Sequence, residues 1–376
     1  MAVRVLHVTQ DHSARNTGVT QAVETIAACT LGRLDSDDAV AILAAGQSDR
    51  PPPEGARMFA APVSFAAWRW APGLGRAIDE AIAGLGATVV HVHALWMAPQ
   101  ALAMAAARRR GIPTVVSAHG LVTRYALGQP GRLGALKKRA YLAAIGRPRF
   151  SRATVLHAIT AEERAQLAGL FPGPRVVSIP NAVDVAAIAH AAGDAEPGDE
   201  VLFLGRIHPL KGVDLLIDAF ARGAERLRLT IAGPRQDAAY AAALEARVER
   251  LGLGDRVRFT GPIWGEARFA MMRRARVVVV PSHSEVMSLV NLEAAACATP
   301  SITTTAVGLD DWEEGGGLVV PVAVPALAAA LEKAAAWSAA ERRARGEASR
   351  SLVAARYSTA VIGARWAALY RELAAS

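Results

Sequence analysis

Short runs rich in Val, Ile and Leu alternate with longer Ala-, Leu- and Arg-rich stretches, and this alternation passes along the chain twice. In the first pass, Val3–Val8, Ala39–Leu43, Val89–Val92, Thr114–Ser117 and Thr154–Ile159 are expected as strands, with Thr20–Leu31 and Ala98–Arg110 among the helices between them. Continuous apolar runs mark strands buried on both faces, as in parallel sheets covered by helices on either side. Val176–Ile179 then leads into the turn signal Pro180-Asn181, and the polar stretch Ala191–Glu200 is expected as a surface loop. The second pass has strands at Val201–Leu204, Leu227–Ile231, Val257–Thr260 and Val277–Val280, with shorter ones at Ser301–Thr305 and Leu318–Val320. Its expected helices are Val213–Arg222, Asp237–Leu251, Ser288–Ala296, Pro325–Ala340 and Thr359–Ala375. Two doubly wound α/β domains in tandem follow, with chemistry expected at the carboxyl ends of the strands, in a cleft between the domains.

Length agrees with this division, since 376 residues at about 150 per domain make two. At 52% hydrophobic and 20% charged residues the chain can build sizeable cores, which excludes a disordered protein. Its two cysteines, Cys29 and Cys297, exclude a disulfide framework and suggest a reducing compartment. No apolar run reaches the ~18 residues of a membrane span, and the first residues read as a strand rather than a signal peptide, so a cytoplasmic protein is expected.

The charge is uneven. Residues 1–185 carry the whole net charge of +8, and residues 81–161 hold eleven basic residues and no acidic one. Such a surface would attract anionic lipid or an anionic acceptor. Solvated arginines in an Ala/Arg-rich composition are the plain alternative. Nucleic acid is not expected as a partner, because aromatic interleaving is sparse and no nucleic-acid motif is present.

Four local patterns could carry chemistry. Gly205-Arg206-Ile207-His208-Pro209-Leu210-Lys211-Gly212 lies between a strand and a helix. There Arg206 offers a planar fork and Lys211 a point charge, which suits a diphosphate. No Ser or Thr follows Lys211, so this is not a magnesium-binding phosphate loop. Glu285 and Glu293 flank the start of the Ser288–Ala296 helix, at most ~12 Å of helix rise apart. Carboxylates accept from sugar hydroxyls, and a helix start offers free N–H groups to a phosphate. His119 closes the strand ending Ser117-Ala118 and could donate to a phosphate or a hydroxyl. Gly18, in Asn16-Thr17-Gly18-Val19-Thr20, either admits a ligand to a helix start or simply makes the turn. His91, His93 and His157 are taken as structural, and no His/Cys/Asp/Glu group shows metal-ligand spacing along the chain.

In order, these patterns resemble the retaining glycosyltransferases of the GT4 family, which have the GT-B fold. GRIHPLKGVDLLIDAF is similar to that family's G-R-(x4)-K-G-x-D-x-L-I-x-A-F, followed by IAGP at 231–234 and VRFTGPI at 257–263. PSHSEVMSLVNLEAAACATP is similar to P-S-(x2)-E-G-F-G-(x4)-E-A-(x3)-G-x-P, and GLVVP at 317–321 to G-x-L-V-x-P. SAHGL at 117–121 and IPNAVD at 179–184 fit in the first half. The sequence departs from the family pattern at three places: Gly-Phe-Gly is Val286-Met287-Ser288, Asn-Gly is Asn181-Ala182, and the glycine before Thr-Pro is Ala298. These replacements suggest altered donor choice or geometry.

The resemblance implies two Rossmann-like domains facing each other across a cleft. Residues 1–185 would bind the acceptor and 186–355 the nucleotide sugar, with 356–376 a helix crossing back to the first domain. Arg206 and Lys211 would neutralise the leaving diphosphate, Glu285 would hold hydroxyls of the donor sugar, and Glu293 the ribose. The backbone at Ser288 and Leu289 would meet a phosphate, His119 the sugar, and Gly18 the acceptor and phosphate. Neither metal nor other cofactor is implied, and the sugar would transfer with retention. The stretch from His93 to Leu127, with KKRAYLAA at 137–144, also resembles enzymes of surface-polysaccharide and lipopolysaccharide synthesis. A glycan or lipid-linked acceptor at the inner face of the cytoplasmic membrane is expected from that likeness. A sugar-nucleotide epimerase of the same fold and a non-catalytic nucleotide-sugar sensor stay open as alternatives.

Overall fold

The computed structural model describes residues 2–13, 17–46, 48–62, 67–123, 126–127, 131–223 and 225–376. The chain forms two compact units, one of Met1–Asn181 with Thr359–Ser376, the other of Ala182–Ser358. The segment that rejoins the first unit thus opens at Thr359, and the helix Val185–Ala192, capped by Asp184, belongs to the second unit.

The first unit is built on a seven-stranded sheet with all its strand pairs parallel. In chain order its strands are β1 (Arg4–Thr9), β2 (Ala39–Ala44), β3 (Arg57–Phe59), β4 (Val89–His93), β5 (Thr114–Ser117), β6 (Val155–Ala158) and β7 (Arg175–Ser178). Across the sheet they run β3-β2-β1-β4-β5-β6-β7. Side chains alternate between faces along a strand. Leu6, Val8, Val90, Val92, Val116 and Leu156 fall on one face, in a core shared with the helices Leu74–Leu85 and Ala98–Arg109.

The opposite face carries a polar row instead. His7 pairs in register with His91, His93 with Ser117, and Ser117 with His157. The helix Thr359–Ala374 lays Trp366 and Tyr370 over this row, with the Trp366 ring 4.6 Å from that of His157 and 5.1 Å from that of His91. Gly363 permits the same helix to approach the helix Thr17–Leu31 closely, because a Cβ there would collide with the Cys29 carbonyl.

Every group in one line across this row is satisfied, and the line has one direction. His157 Nε2 lies 2.7 Å from the Ile179 carbonyl, which can only accept, so His157 carries its proton on Nε2. Its Nδ1 must then accept from Ser117 Oγ, and Ser117 must accept from His91 Nε2, each at 2.7 Å. His91 Nδ1 is left to accept from the Tyr370 hydroxyl, at 2.7 Å. The last helix is therefore bonded to a chain of neutral imidazoles whose protons are all assigned by one carbonyl.

The second unit has a six-stranded sheet, again parallel throughout. Its strands are β8 (Glu200–Leu204), β9 (Arg228–Ala232), β10 (Val257–Gly261), β11 (Val277–Val280), β12 (Ser301–Thr304) and β13 (Leu318–Val320). They lie in the order β10-β9-β8-β11-β12-β13. The amphipathic helix Val213–Arg222 buries Val213, Leu216, Ile217 and Phe220 against one face, and Leu289–Ala296 covers the other.

The expected helix Pro325–Ala340 is corrected to two. Val324–Ala336 ends before Trp337, and a separate helix, Ala339–Arg356, begins after Ser338, whose hydroxyl accepts from the Glu341 N–H at 3.1 Å. Ser338 and Glu341 form the S-x-x-E pattern of a helix start, which interrupts an otherwise continuous helical composition. Two arginines tie these helices down. Arg276 donates to the carbonyls of Ala334, Ala335 and Trp337, and the buried Arg342 to those of Arg273, Ala275 and Arg276. The expected loop Ala191–Glu200 loses both ends, to the helix ending at Ala192 and to β8.

Ala298, which replaces a family glycine, has φ of 51°, in the left-handed region. Its carbonyl is packed so closely against Gly346 that a Cβ on that glycine would collide with it. An alanine in this conformation is strained. Ala298→Gly is expected to raise stability by about 0.5–1 kcal/mol, the strain relieved less the entropy glycine adds to the unfolded chain, as measured by urea unfolding.

Burial lowers the pKa of His7 to about 3 and that of His157 to about 4, and holds those of His91 and His93 well below the ordinary histidine value. The unfolded chain therefore binds more protons than the folded one below pH 6.5. Stability should be flat above about pH 7.5 and fall as pH drops below 6.5, by up to about 1.4 kcal/mol per pH unit for each of these histidines. Urea midpoints at pH 7.5, 6.5 and 5.5 check this, and equal midpoints would contradict neutral burial.

Candidate active site

Strand order reverses direction between β8 and β11, since β9 follows β8 outward on one side and β12 follows β11 on the other. Loops leaving two such strands part and open a crevice at their carboxyl ends. The loop after β8 carries Arg206 and Lys211, and the loop after β11 carries Glu285.

Two glycines bring these loops to their positions. Gly233, at the end of β9, has φ of 153°, and any Cβ on it would overlap the Gly205 carbonyl. Gly212 has φ of 63°, and a Cβ there would overlap the Pro281 carbonyl. The turn Pro209–Lys211 can therefore lie against the loop after β11, where the His283 N–H donates to the Leu210 carbonyl at 2.8 Å. This approach places the Lys211 ammonium in an ion pair with Glu285 Oε1, both side chains being mostly buried. Ser282 donates to the other Glu285 oxygen at 3.2 Å, and the backbone of Glu285 is bonded to Ala306 and Gly308. Arg206 is exposed and donates to Gln236 at 2.9 Å, so its guanidinium is held by a neutral group.

Ser288 caps the helix Leu289–Ala296, with Oγ accepting from the Asn291 N–H at 3.3 Å. Val286, Met287 and Ser288, which replace the family's Gly-Phe-Gly, all lie outside the left-handed region, and Met287 and Leu289 pack on the adjacent apolar core. Ala182 likewise needs no glycine conformation. Glu293 is placed differently from the other acidic residue. It is buried and accepts from Arg268 at 2.8 Å, while the Arg268 guanidinium also stacks 4.4 Å from the Phe269 ring. Arg206, Lys211, Glu285, Ser288 and Leu289 thus gather at the ends of β8 and β11, with Glu293 inside the helix behind them. Arg268 was not singled out by its sequence, where it stands in an ordinary basic helix.

In the first unit, His119 lies just past β5 with φ of 52°, a conformation that costs energy and is common where a side chain must be aimed. Its neighbour Gly120 donates to Glu163 Oε1 at 2.6 Å, and Glu163 Oε2 accepts from the Ile159 N–H at 2.7 Å. Burial raises the Glu163 pKa, against the lowering effect of those two bonds. Glu163 thereby holds the loop beside His119, a role that sequence reasoning missed. Its only local signal was Thr160-x-x-Glu163, a helix-start pattern in which the Thr160 hydroxyl accepts from the Glu163 N–H. Burial lowers the His119 pKa to about 3, so its ring is neutral.

Gly18 is exposed near the start of the helix Thr17–Leu31, with open space where a Cβ would stand, while Asn16 lies outside the described residues. His7, His91 and His93 have ring nitrogens within 4.8 Å of one another, a grouping that spacing along the chain did not reveal. It arises because β1 and β4 are neighbours in the sheet. Among the described residues, no helix is long and apolar enough to cross a membrane.

Two family models match the chain. Residues 17–182 match the "glycosyl transferase 4-like domain", and residues 198–336 match "glycosyl transferases group 1". A D-inositol 3-phosphate glycosyltransferase of Frankia alni is 36% identical over 253 residues, covering 59% of this chain and 58% of its own length. The chain spans about half the length of the curated relatives it matches. Among solved structures, sucrose-phosphate synthase from Thermosynechococcus elongatus has a TM-score of 0.77 at 22% identity, with both chains covered completely. Anabaena HepE in complex with UDP has a TM-score of 0.76 at 18% identity, covering 98% of this chain and 100% of its own. Both alternating halves of the sequence are therefore accounted for by one fold, and the protein is a member of the GT4 glycosyltransferases, with the GT-B fold.

Proposed function

We propose that the chain transfers a sugar, with retention of anomeric configuration, from a nucleoside-diphosphate sugar to a small phosphorylated polyol. The observation that carries this reading is the Lys211–Glu285 pair beside Arg206, at the point where the second sheet reverses its strand order. A diphosphate leaving group gains negative charge as the glycosidic C–O bond breaks. Cations already held in place stabilise that charge with little reorganisation. Arg206 and Lys211 take this role, and the free N–H groups above Ser288 and Leu289 add to it. In the donor complex Glu285 exchanges part of its bond to Lys211 for the sugar's hydroxyls, while Glu293 and Arg268 border the ribose. His119 contacts the sugar, and Gly18 leaves its helix start open to the acceptor and phosphate. The departing diphosphate oxygen is the base for the acceptor's proton. No metal is required in this scheme, because its cations are side chains.

The acceptor is taken from the relatives. Their names specify D-inositol 3-phosphate, which favours a small phosphorylated acceptor over the lipid-linked glycan and surface-polysaccharide role expected from the first-half sequence. The acid-free stretch of residues 81–161 suits an anionic acceptor as well as it suits a membrane surface. Arg109 and Arg110 within it are partly neutralised by Asp79. Contact with the membrane remains a subsidiary part of the proposal, supported only by that charge.

A thermal-shift screen against UDP-, GDP-, ADP- and TDP-sugars is expected to raise Tm for one nucleotide class. With that donor, transfer to inositol phosphate should proceed in the presence of EDTA. Lys211→Ala and Glu285→Ala should each lower kcat by about 10²–10³. Near-normal turnover in both variants would overturn the assignment, and a product consisting only of isomerised donor would favour an epimerase. Sedimentation with anionic liposomes at low salt tests the membrane contact separately, and no binding at any lipid charge would remove it.

A further inference from the structure

A second line of imidazoles in the first unit ends at His119. His7 Nδ1 lies 2.8 Å from His93 Nε2, and His93 Nδ1 lies 2.9 Å from His119 Nε2. The rings stack in sequence, with centroids 5.1 and 5.2 Å apart. His7 and His93 are completely buried, whereas His119 is half-buried where the strand ends. At the inner end, His7 Nε2 has no hydrogen-bond partner among the described residues. At the outer end, the bond to His93 is the only one made by the His119 ring among the described residues.

A neutral imidazole has one N–H and one lone pair. In a line of three, the direction of either bond therefore determines both, and there are two possible arrangements. If protons point inward, from His119 toward His7, the line ends in a buried N–H with nothing to accept it. If they point outward, it ends in a buried bare lone pair. A buried donor without an acceptor is the costlier ending. The outward arrangement places a proton on His7 Nδ1, one on His93 Nδ1 and one on His119 Nδ1. The last of these is the nitrogen left free at the strand end.

We propose that His93, backed by His7, is a positioning residue that holds His119 as its Nδ1–H tautomer, so that His119 presents a hydrogen-bond donor to a sugar hydroxyl or ring oxygen. The benefit to catalysis rests on the reading of His119 as a sugar contact, while the tautomer itself does not. Without His93, the His119 ring would be free to rotate and to carry its proton on either nitrogen. A metal ion held by His7, His91 and His93 is the competing use of these rings. Both nitrogens of His91 and of His93 are already bonded, to Tyr370, Ser117, His7 and His119, and no carboxylate belongs to the group to offset a dication.

The test is long-range ¹H–¹⁵N NMR of ¹⁵N-histidine-labelled full-length protein, combined with donor-hydrolysis and transfer assays on the same samples. Wild type is expected to show His119 with a protonated Nδ1 and a bare Nε2. His93→Phe should convert it to the Nε2–H form or a mixture and lower kcat about 10- to 100-fold with little change in donor KM, the loss expected from a misplaced group. His93→Asn, whose side-chain N–H can stand where Nδ1 stood, should restore the Nδ1–H form and most of the turnover. An Nε2–H His119 in wild type overturns the proposal. So does an unchanged tautomer in His93→Phe, or a bound equivalent of zinc that shifts His7 and His93. Should His93→Phe fail to fold, the wild-type and His93→Asn spectra still decide. If the tautomers behave as stated and no sugar is transferred with any donor, the proposed function fails and the relay stands. If transfer proceeds and His93→Phe leaves it untouched, the positioning role fails alone.

Discussion

At the carboxyl end of the second sheet, backbone meets backbone too closely for a side chain to intervene. Gly233 lies against the Gly205 carbonyl and Gly212 against that of Pro281. Without these two approaches the turn carrying Lys211 would stand off from the loop carrying Glu285. The ion pair, the placement of Arg206 and the relation of both to the helix start at Ser288 all follow from them. The glycines set the geometry here, and the charged residues occupy it.

This explains which parts of the site could be read from the chain. GRIHPLKG and IAGP are legible because a close backbone approach tolerates only glycine, so the constraint falls on residue identity at fixed positions. The strands were legible for a similar reason, since burial on both faces of β8 and β11 leaves the unbroken apolar runs Val201–Leu204 and Val277–Val280. The helix break at Ser338 was less visible, because a two-residue interruption in an Ala/Arg-rich stretch barely alters its composition. Arg268 and Glu163 were invisible as site residues. Each acts through a partner far off in sequence, 25 residues away for Glu293 and 43 for Gly120.

The histidines show the same limit more sharply. His91, His93 and His157 were each read as structural residues, a description each alone fits, and His7 drew no notice within its strand. Only the strand order β1-β4-β5-β6 makes them a continuous layer, and strand order is a property of topology that local periodicity does not encode. The replaced glycines divide along related lines. Ala182 and Val286-Met287-Ser288 sit outside the left-handed region, whereas Ala298 adopts the left-handed conformation that favours glycine.

The helix that seals the polar face of the first sheet, through Trp366, Tyr370 and the contact at Gly363, follows the whole second unit in the sequence. During synthesis on the ribosome, the amino-terminal sheet emerges early, with one face apolar and packed and the other a row of imidazoles. The whole second unit must be translated before the segment that covers this row leaves the exit tunnel. Folding strictly in chain order is therefore not available to the first unit, which is completed only after the second has been synthesised.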